Sequence, residues 1–210
     1  MPTGKGWITE RKNEYYFKKA KEENYRSRAT YKLAQAISKY HFIKYGNVVV
    51  DLGAAPGGWI QTARKATGKK GFVLGVDLKP IDPFVQPYIR TIVADMTEPE
   101  TIEQIRSFLP RDHKADVVLS DMAPNISGVW DVDHAKQIDL ANKAFETAKK
   151  ILCPGGNFFV KIFEGDLLQD FMDKLKQNFE EVKLVKPPAS RSKSSEMYLL
   201  CLSFTGAEED

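Results

Sequence analysis

Apolar residues along this chain fall into short runs separated by longer amphipathic stretches. From Ser27 to Lys44, apolar side chains at Ala29, Leu33, Ala36, Ile37 and Tyr40 follow the spacing of one helical face. From Asn47 onward the pattern alternates. It predicts strands over Val48–Asp51, Phe72–Asp77, Ile89–Ala94, Ala115–Asp121 and Asn157–Phe163. It predicts helices over Gly58–Ala66, Glu100–Leu109, Asp133–Leu152 and Asp166–Gln177. Two closing strands, about Glu181–Val185 and Met197–Phe204, follow with no helix between them. Pro187-Pro188 and the polar run Ser190–Ser195 mark a loop there, so the pair reads as an antiparallel hairpin. The whole predicts an α/β fold: a seven-stranded, mostly parallel sheet with one antiparallel strand and helices on both faces.

Composition changes this picture little. A chain of 210 residues, 42% hydrophobic, suits one globular domain with a real core. No apolar run approaches the roughly 18 residues of a membrane span, and Met1–Arg11 lacks the apolar core of a secretory signal. Cys153 and Cys201 show no CxxC spacing and read as small buried hydrophobes in a reducing compartment. The expectation is a cytoplasmic monomer with no membrane association and no metal.

Charge adds more. The net charge is +3, yet Met1–Lys32 holds nine basic against four acidic residues, so the rest of the chain is slightly acidic. Tyr15, Tyr16, Phe17, Tyr25 and Tyr31 interleave with those cations. Cations for phosphates and rings for stacking suit an RNA-facing surface. The same tract equally suits a solvated tail whose rings pack on the domain. Residues 1–25 are read as a basic extension and 26–210 as the catalytic domain.

Candidate chemistry collects at strand exits, where open α/β sheets bind ligands. The first strand runs into Asp51-Leu-Gly-Ala-Ala-Pro-Gly-Gly-Trp59, in which Gly53, Gly57 and Gly58 allow a tight turn into a helix N-terminus. The spacing G-x-x-x-G-G differs from the G-x-G-x-x-G of dinucleotide enzymes, which counts against a nicotinamide oxidoreductase. Asp77 closes the second strand, where a carboxylate can accept both hydroxyls of an adenosine ribose. Asp95 follows the third strand, placed to receive an adenine amino group. Each acid alone equally fits a turn or a cap. Together with Asp51 and Asp121 they suit a cationic sulfonium better than a pyrophosphate.

Asp121 ends the fourth strand in Ser-Asp-Met-Ala-Pro-Asn, which lacks the D/N-P-P-aromatic box expected of an enzyme that methylates base amino groups. Lys161 sits near the end of the fifth strand in Phe-Phe-Val-Lys-Ile-Phe, where burial is costly without a partner; a lysine that has simply reached solvent is the alternative. If the last strand runs antiparallel, Glu196 at its start joins Asp121 and Lys161 on one rim. Lys32 can complete the set, although the helix pattern alone does not place it there.

At these residues the chain resembles the FtsJ/RrmJ (RlmE-type) family of RNA 2′-O-methyltransferases. The likeness runs from about Arg26 to Phe204 and includes Ser27–Leu33, Asp51–Trp59, Asp77–Pro80, Ser120–Gly128, Lys161–Phe163 and Arg191–Tyr198. It implies a Rossmann-like fold with S-adenosyl-L-methionine held by Gly57, Trp59, Asp77, Asp95 and Asp121. It also implies a catalytic set of Lys32, Asp121, Lys161 and Glu196, with Lys161 as proton acceptor. The implied substrate is a uridine 2′-hydroxyl in large-subunit ribosomal RNA, often on the assembled subunit; the alternative is an anticodon-loop ribose of transfer RNA. A binding-only RNA module on the same fold is the reading that an intact catalytic set opposes.

Overall fold

The computed structural model describes residues 14–110, 114–191 and 194–206. Seven strands form one sheet: β1 (Val48–Leu52), β2 (Phe72–Asp77), β3 (Ile89–Val93), β4 (Ala115–Ser120), β5 (Leu152–Phe163), β6 (Phe179–Val185) and β7 (Glu196–Phe204). Their order is β3-β2-β1-β4-β5-β7-β6. The first five are parallel, and β7 runs antiparallel to both neighbours. The α/β fold expected from the pattern is the one observed.

Helices cover both faces. A helix over residues 14–22 (α1) leads to α2 (Thr30–Tyr40), which with α3 (Gly58–Thr67) covers one face. The helices α4 (Pro99–Phe108), α5 (Trp130–Ile151) and α6 (Leu168–Lys176) cover the other. Successive strand residues therefore enter opposite cores: Phe158, Val160 and Ile162 pack beneath α5 and α6, Phe159 beneath α2 and α3. Burial on both faces is why these strands read as continuous apolar runs.

Three of the expected elements differ most from the sequence pattern. The helix expected over Ser27–Lys44 is shorter, because His41 turns left-handed (φ 52°) and returns its N–H to Ile37 O. Strand β5 begins at Leu152 instead of Asn157; Pro154-Gly155-Gly156 reads as a break, but a register shift against β4 carries the ladder across it. Helix α5 begins at Trp130, three residues early. Its Asp133 carboxylate accepts the Ser127 N–H and hydroxyl at 2.7 Å and the Gly128 N–H at 3.1 Å, fixing the chain that enters the helix.

The basic tract divides. Tyr16 packs on Tyr31 with ring centroids 5.2 Å apart, Tyr25 on Tyr31 at 5.8 Å, and the Tyr16 hydroxyl accepts Gln35 Nε2. Tyr15 and Phe17 remain exposed. Lys5, Arg11 and Lys12 lie outside the described residues. Among the described residues no helix is long and apolar enough to cross a membrane.

Candidate active site

The sheet places the sequence-selected acids along the C-terminal edges of its parallel strands. Gly53, Asp77, Asp95 and Asp121 all line one cleft of about 530 Å³, with Val76, Met96 and Met122 among its apolar walls. A crevice of about 30 Å³ shares Gly53 and Asp121 with that cleft and adds Asp51, Ser27 and Trp59.

The acids are differently prepared. Asp77 is anchored by backbone: Oδ2 accepts the Ala55 N–H and Oδ1 the Lys79 N–H, both at 2.8 Å. Asp95 Oδ1 accepts the N–H and hydroxyl of Thr97, and those bonds, the backbone one first, hold its carboxyl below the usual range. Asp51 is 1% exposed, and neither carboxylate oxygen has a hydrogen-bond partner. Burial first, then the neighbouring charges of Asp121 and Asp77, pushes its carboxyl well up.

The three glycines separate in role. Gly53 (φ 76°) faces the cleft, and a Cβ there would meet Met122 Cγ at 2.1 Å. Gly57 (φ 105°) instead makes room for Phe84 and Arg26, whose guanidinium lies 3.7 Å from the Phe84 ring centroid. Gly58 makes room for Ser27 and Thr30 beside α2. Neither Gly57 nor Gly58 lines the large cleft. Trp59 is buried, donates Nε1–H to Ala29 O, stacks on Phe159 and packs tilted against Tyr198. It reaches only the small crevice.

At the rim the four expected catalytic side chains converge. Lys161, 7% exposed, places its ammonium 2.8 Å from Asp121 Oδ1 and donates to Asp121 O at 2.7 Å. Glu196 Oε2 lies 3.8 Å away, and Glu196 Oε1 accepts Lys32 at 2.5 Å. The antiparallel pairing of β5 with β7 causes this: it sets Phe163 opposite Glu196 and Lys161 opposite Tyr198. Thr30 Oγ1 bonds Gly58 O, tying the start of α2 to the glycine turn and bringing Lys32 to the same rim.

Residues 25–204 match the family model for an FtsJ-like methyltransferase. The chain belongs to that family. Ribosomal RNA large subunit methyltransferase E of Methanocaldococcus jannaschii is 47% identical over 98% of this chain and 86% of its own length. Its namesake in Methanothrix thermoacetophila is 51% identical over 89% of this chain and 71% of its own. Among solved structures, a ribosomal RNA methyltransferase of Plasmodium falciparum has TM-score 0.75 and 29% identity, covering 87% of this chain and all of that one. A fibrillarin of Aeropyrum pernix with bound S-adenosyl-L-methionine shares the fold at TM-score 0.58 and 18% identity, over 85% of this chain and 75% of that one.

The matched FtsJ-like region contains further site groups that the sequence pattern did not single out. Tyr198 donates its hydroxyl to Asp121 Oδ1 at 2.7 Å while its ring stacks on Phe159 at 4.8 Å. Burial first, then the Asp121 and Glu196 carboxylates, pushes that hydroxyl far up, so it stays a donor. Ser190 Oγ lies 3.3 Å from Glu196 Oε1. Arg28 stands close enough to Arg191 and Glu196 to feel both; burial and then Arg191 lower it, and Glu196 raises it. Tyr198 reads in sequence as one more apolar strand residue; only its partner 77 positions away reveals it.

Proposed function

We propose that this chain transfers a methyl group from S-adenosyl-L-methionine to a ribose 2′-hydroxyl of large-subunit ribosomal RNA, at a uridine. The observation that carries the reading is the convergence of Lys32, Asp121, Lys161 and Glu196 on one rim, with Asp121 shared between that rim and the cleft. The names of the 47–51% identical relatives favour the ribosomal address over a transfer-RNA one.

The cleft fits the cofactor. Two buried carboxylate oxygens without partners at Asp51 call for a donor or cation, and the cradle at Gly53 is one that a Cβ would fill. Asp77 would take the ribose hydroxyls with acceptor capacity beyond its two backbone bonds. Asp95 would take the adenine amino group through Oδ2, since Thr97 occupies Oδ1. Gly53, Asp51 and Asp121 would surround the cationic end, with Gly57 and Trp59 supporting the turn behind them. When bound, S-adenosylmethionine supplies a methyl group already activated on a sulfonium leaving group.

The chain's first task is then alignment. Well-oriented reactants gain up to roughly 7–11 kcal/mol over free encounter. Lys161 makes two close contacts to Asp121 and a longer one, 3.8 Å, to Glu196 Oε2. As general base, Lys161 would accept the hydroxyl proton while Asp121 and Glu196 stand beside the ammonium so formed, worth about 10²–10⁴-fold. Glu196 holds Lys32 and flanks Lys161, fixing the spacing of the two cations. Arg28, Arg191 and the basic residues before Arg26 supply phosphate contacts, residues 1–25 acting as an RNA-binding extension of a 26–210 catalytic unit. On this reading the partner is the large ribosomal subunit, the compartment is the cytoplasm, and the chain acts as a monomer.

Large subunits and transfer RNA from cells lacking this gene test the address. Label from S-adenosylmethionine entering only ribosomal RNA supports it; label entering only transfer RNA overturns it.

A further inference from the structure

The exposed apolar side chains are not scattered evenly. Ile126, Val129, Trp130 and Val132 follow one another where the β4 exit loop enters α5, and Leu167 lies near them through His134. Trp130 is the largest of these and is 47% exposed. Its ring stacks on His134 at 5.9 Å and 14° and on Phe163 at 6.1 Å and 23°. His134 is itself buried, with Nε2 accepting the Leu167 N–H and the imidazole packed against Gly165. The indole is therefore a half-exposed ring packed against two others.

Its position ties it to the reaction. Phe163 is two residues beyond Lys161 on β5, so the two side chains leave the same face of the strand about 6–7 Å apart. Gln137, two turns along α5 from Trp130, donates to Lys161 O at 3.0 Å and Met122 O at 3.2 Å. The helix that carries the indole is thus bonded to the strand that carries the lysine. The loop before it is pinned by Asp133 to Ser127 and Gly128, so little conformational freedom remains to be lost on binding.

We infer that Trp130 is a stacking platform for a nucleobase of the substrate RNA, at or next to the nucleotide whose ribose reaches Lys161. A base is favoured over a phosphate because exposed carboxylates adjoin the ring and the residues it packs with: Asp131 follows Trp130, Glu164 follows Phe163, and Asp166 precedes Leu167. They repel a phosphate and leave an uncharged ring unaffected. Stacking of this kind tolerates any base, so Trp130 supplies affinity and alignment and leaves sequence choice to other contacts. The inference rests on the reading of this site as an RNA ribose methyltransferase.

The test compares wild type with Trp130→Phe, Trp130→Leu and Trp130→Ala. In steady-state methyl transfer to large ribosomal subunits, Trp130→Ala raises the KM for subunits by roughly 5- to 150-fold. Trp130→Phe keeps most of the affinity, and Trp130→Leu behaves like alanine. Binding of S-adenosylmethionine stays unchanged in all three, which reports that each is folded. Separately, a short single-stranded oligouridylate quenches tryptophan fluorescence in wild type, and part of that quenching is lost in Trp130→Phe. Equal quenching in the two proteins, an unchanged KM in Trp130→Ala, or full activity in Trp130→Leu overturns the inference; the last outcome would mark an apolar protein contact. Wild type that is quenched by the oligonucleotide but methylates no ribosomal RNA would contradict the proposed substrate and leave the platform standing.

Discussion

Lys161 and Tyr198 face each other across the β5–β7 ladder and meet on a single atom, Asp121 Oδ1, at 2.8 Å and 2.7 Å. Directly paired residues of antiparallel strands project to the same side, so one pairing aims an ammonium and a phenol at one carboxylate. Asp121 is held from two directions before any substrate arrives.

Tyr198→Phe removes the hydroxyl while keeping the stack on Phe159 and the tilted contact with Trp59. The expected cost is about 1.5–3 kcal/mol of stability, the range for a hydrogen bond to a charged group, read from urea denaturation. Methyl transfer falls through kcat, with the KM for RNA unchanged, because Asp121 loses one of its two anchors. Wild-type kcat in the phenylalanine variant would show that Lys161 alone positions Asp121.

The fold was legible where burial on both faces forces continuous apolar strands; Phe72–Asp77 is the plainest case. Asp121, Lys161 and Glu196 could be set on one rim from strand direction alone, whereas Lys32 joined them only through the family resemblance. What stayed hidden depends on partners distant in sequence. Tyr198 gives no signal of its own, and Gly57 reads as a ligand turn although Arg26 and Phe84 occupy the space beside it. The start of α5 at Trp130 is set by loop donors to Asp133, which no periodicity records. The helix over residues 14–22 bunches its rings at Tyr15, Tyr16 and Phe17 instead of spacing them along one helical face, and it rests on contacts such as Tyr16 with Tyr31.

Asp51→Asn is expected to stabilise the cofactor-free protein at pH 7 and to give no gain near pH 4. Desolvation, then Asp121 and Asp77, raises the folded-state value well above the unfolded value of about 3.9. Between those two values the folded carboxyl keeps a proton that the unfolded chain has lost. Its contribution is therefore most favourable below about pH 3.9 and declines as pH rises towards the folded value. Urea melts from pH 4 to 7 read the difference. The same variant binds S-adenosylmethionine more weakly, so stability and affinity move in opposite directions. A variant less stable than wild type at pH 7 would contradict this.

Gly53→Ala and Gly58→Ala separate cleft from packing. At Gly53 a left-handed φ costs an alanine about 1–2 kcal/mol, and the new methyl displaces Met122 in the wall of the cleft. S-adenosylmethionine affinity should fall at least tenfold, about 1.4 kcal/mol. At Gly58 the methyl would lie 2.3 Å from Ser27 Oγ, so thermal stability falls more than cofactor affinity. Calorimetric titration and melting of both variants check the contrast, and equal losses of affinity would refute it.

Lys32 and Glu196 form a largely buried pair; removing Glu196 takes away the carboxylate that Lys32 pairs with, and removing Lys32 leaves Glu196 the longer 3.8 Å contact to Lys161. The single alanine variants should each impair methyl transfer, and the double variant should do less harm than their combined effects. A coupling of about 0.5–3 kcal/mol is expected from kcat/KM in a double-mutant cycle. Additive losses would mean that the two residues act independently.

The most direct test of the catalytic account is methyl transfer from labelled S-adenosylmethionine to unmethylated large ribosomal subunits by wild type and Lys161→Ala. Wild type is expected to place label in an alkali-resistant dinucleotide, and the variant to lose at least about 10²-fold with cofactor affinity retained. A Lys161→Ala protein that binds cofactor and methylates at the wild-type rate would contradict it.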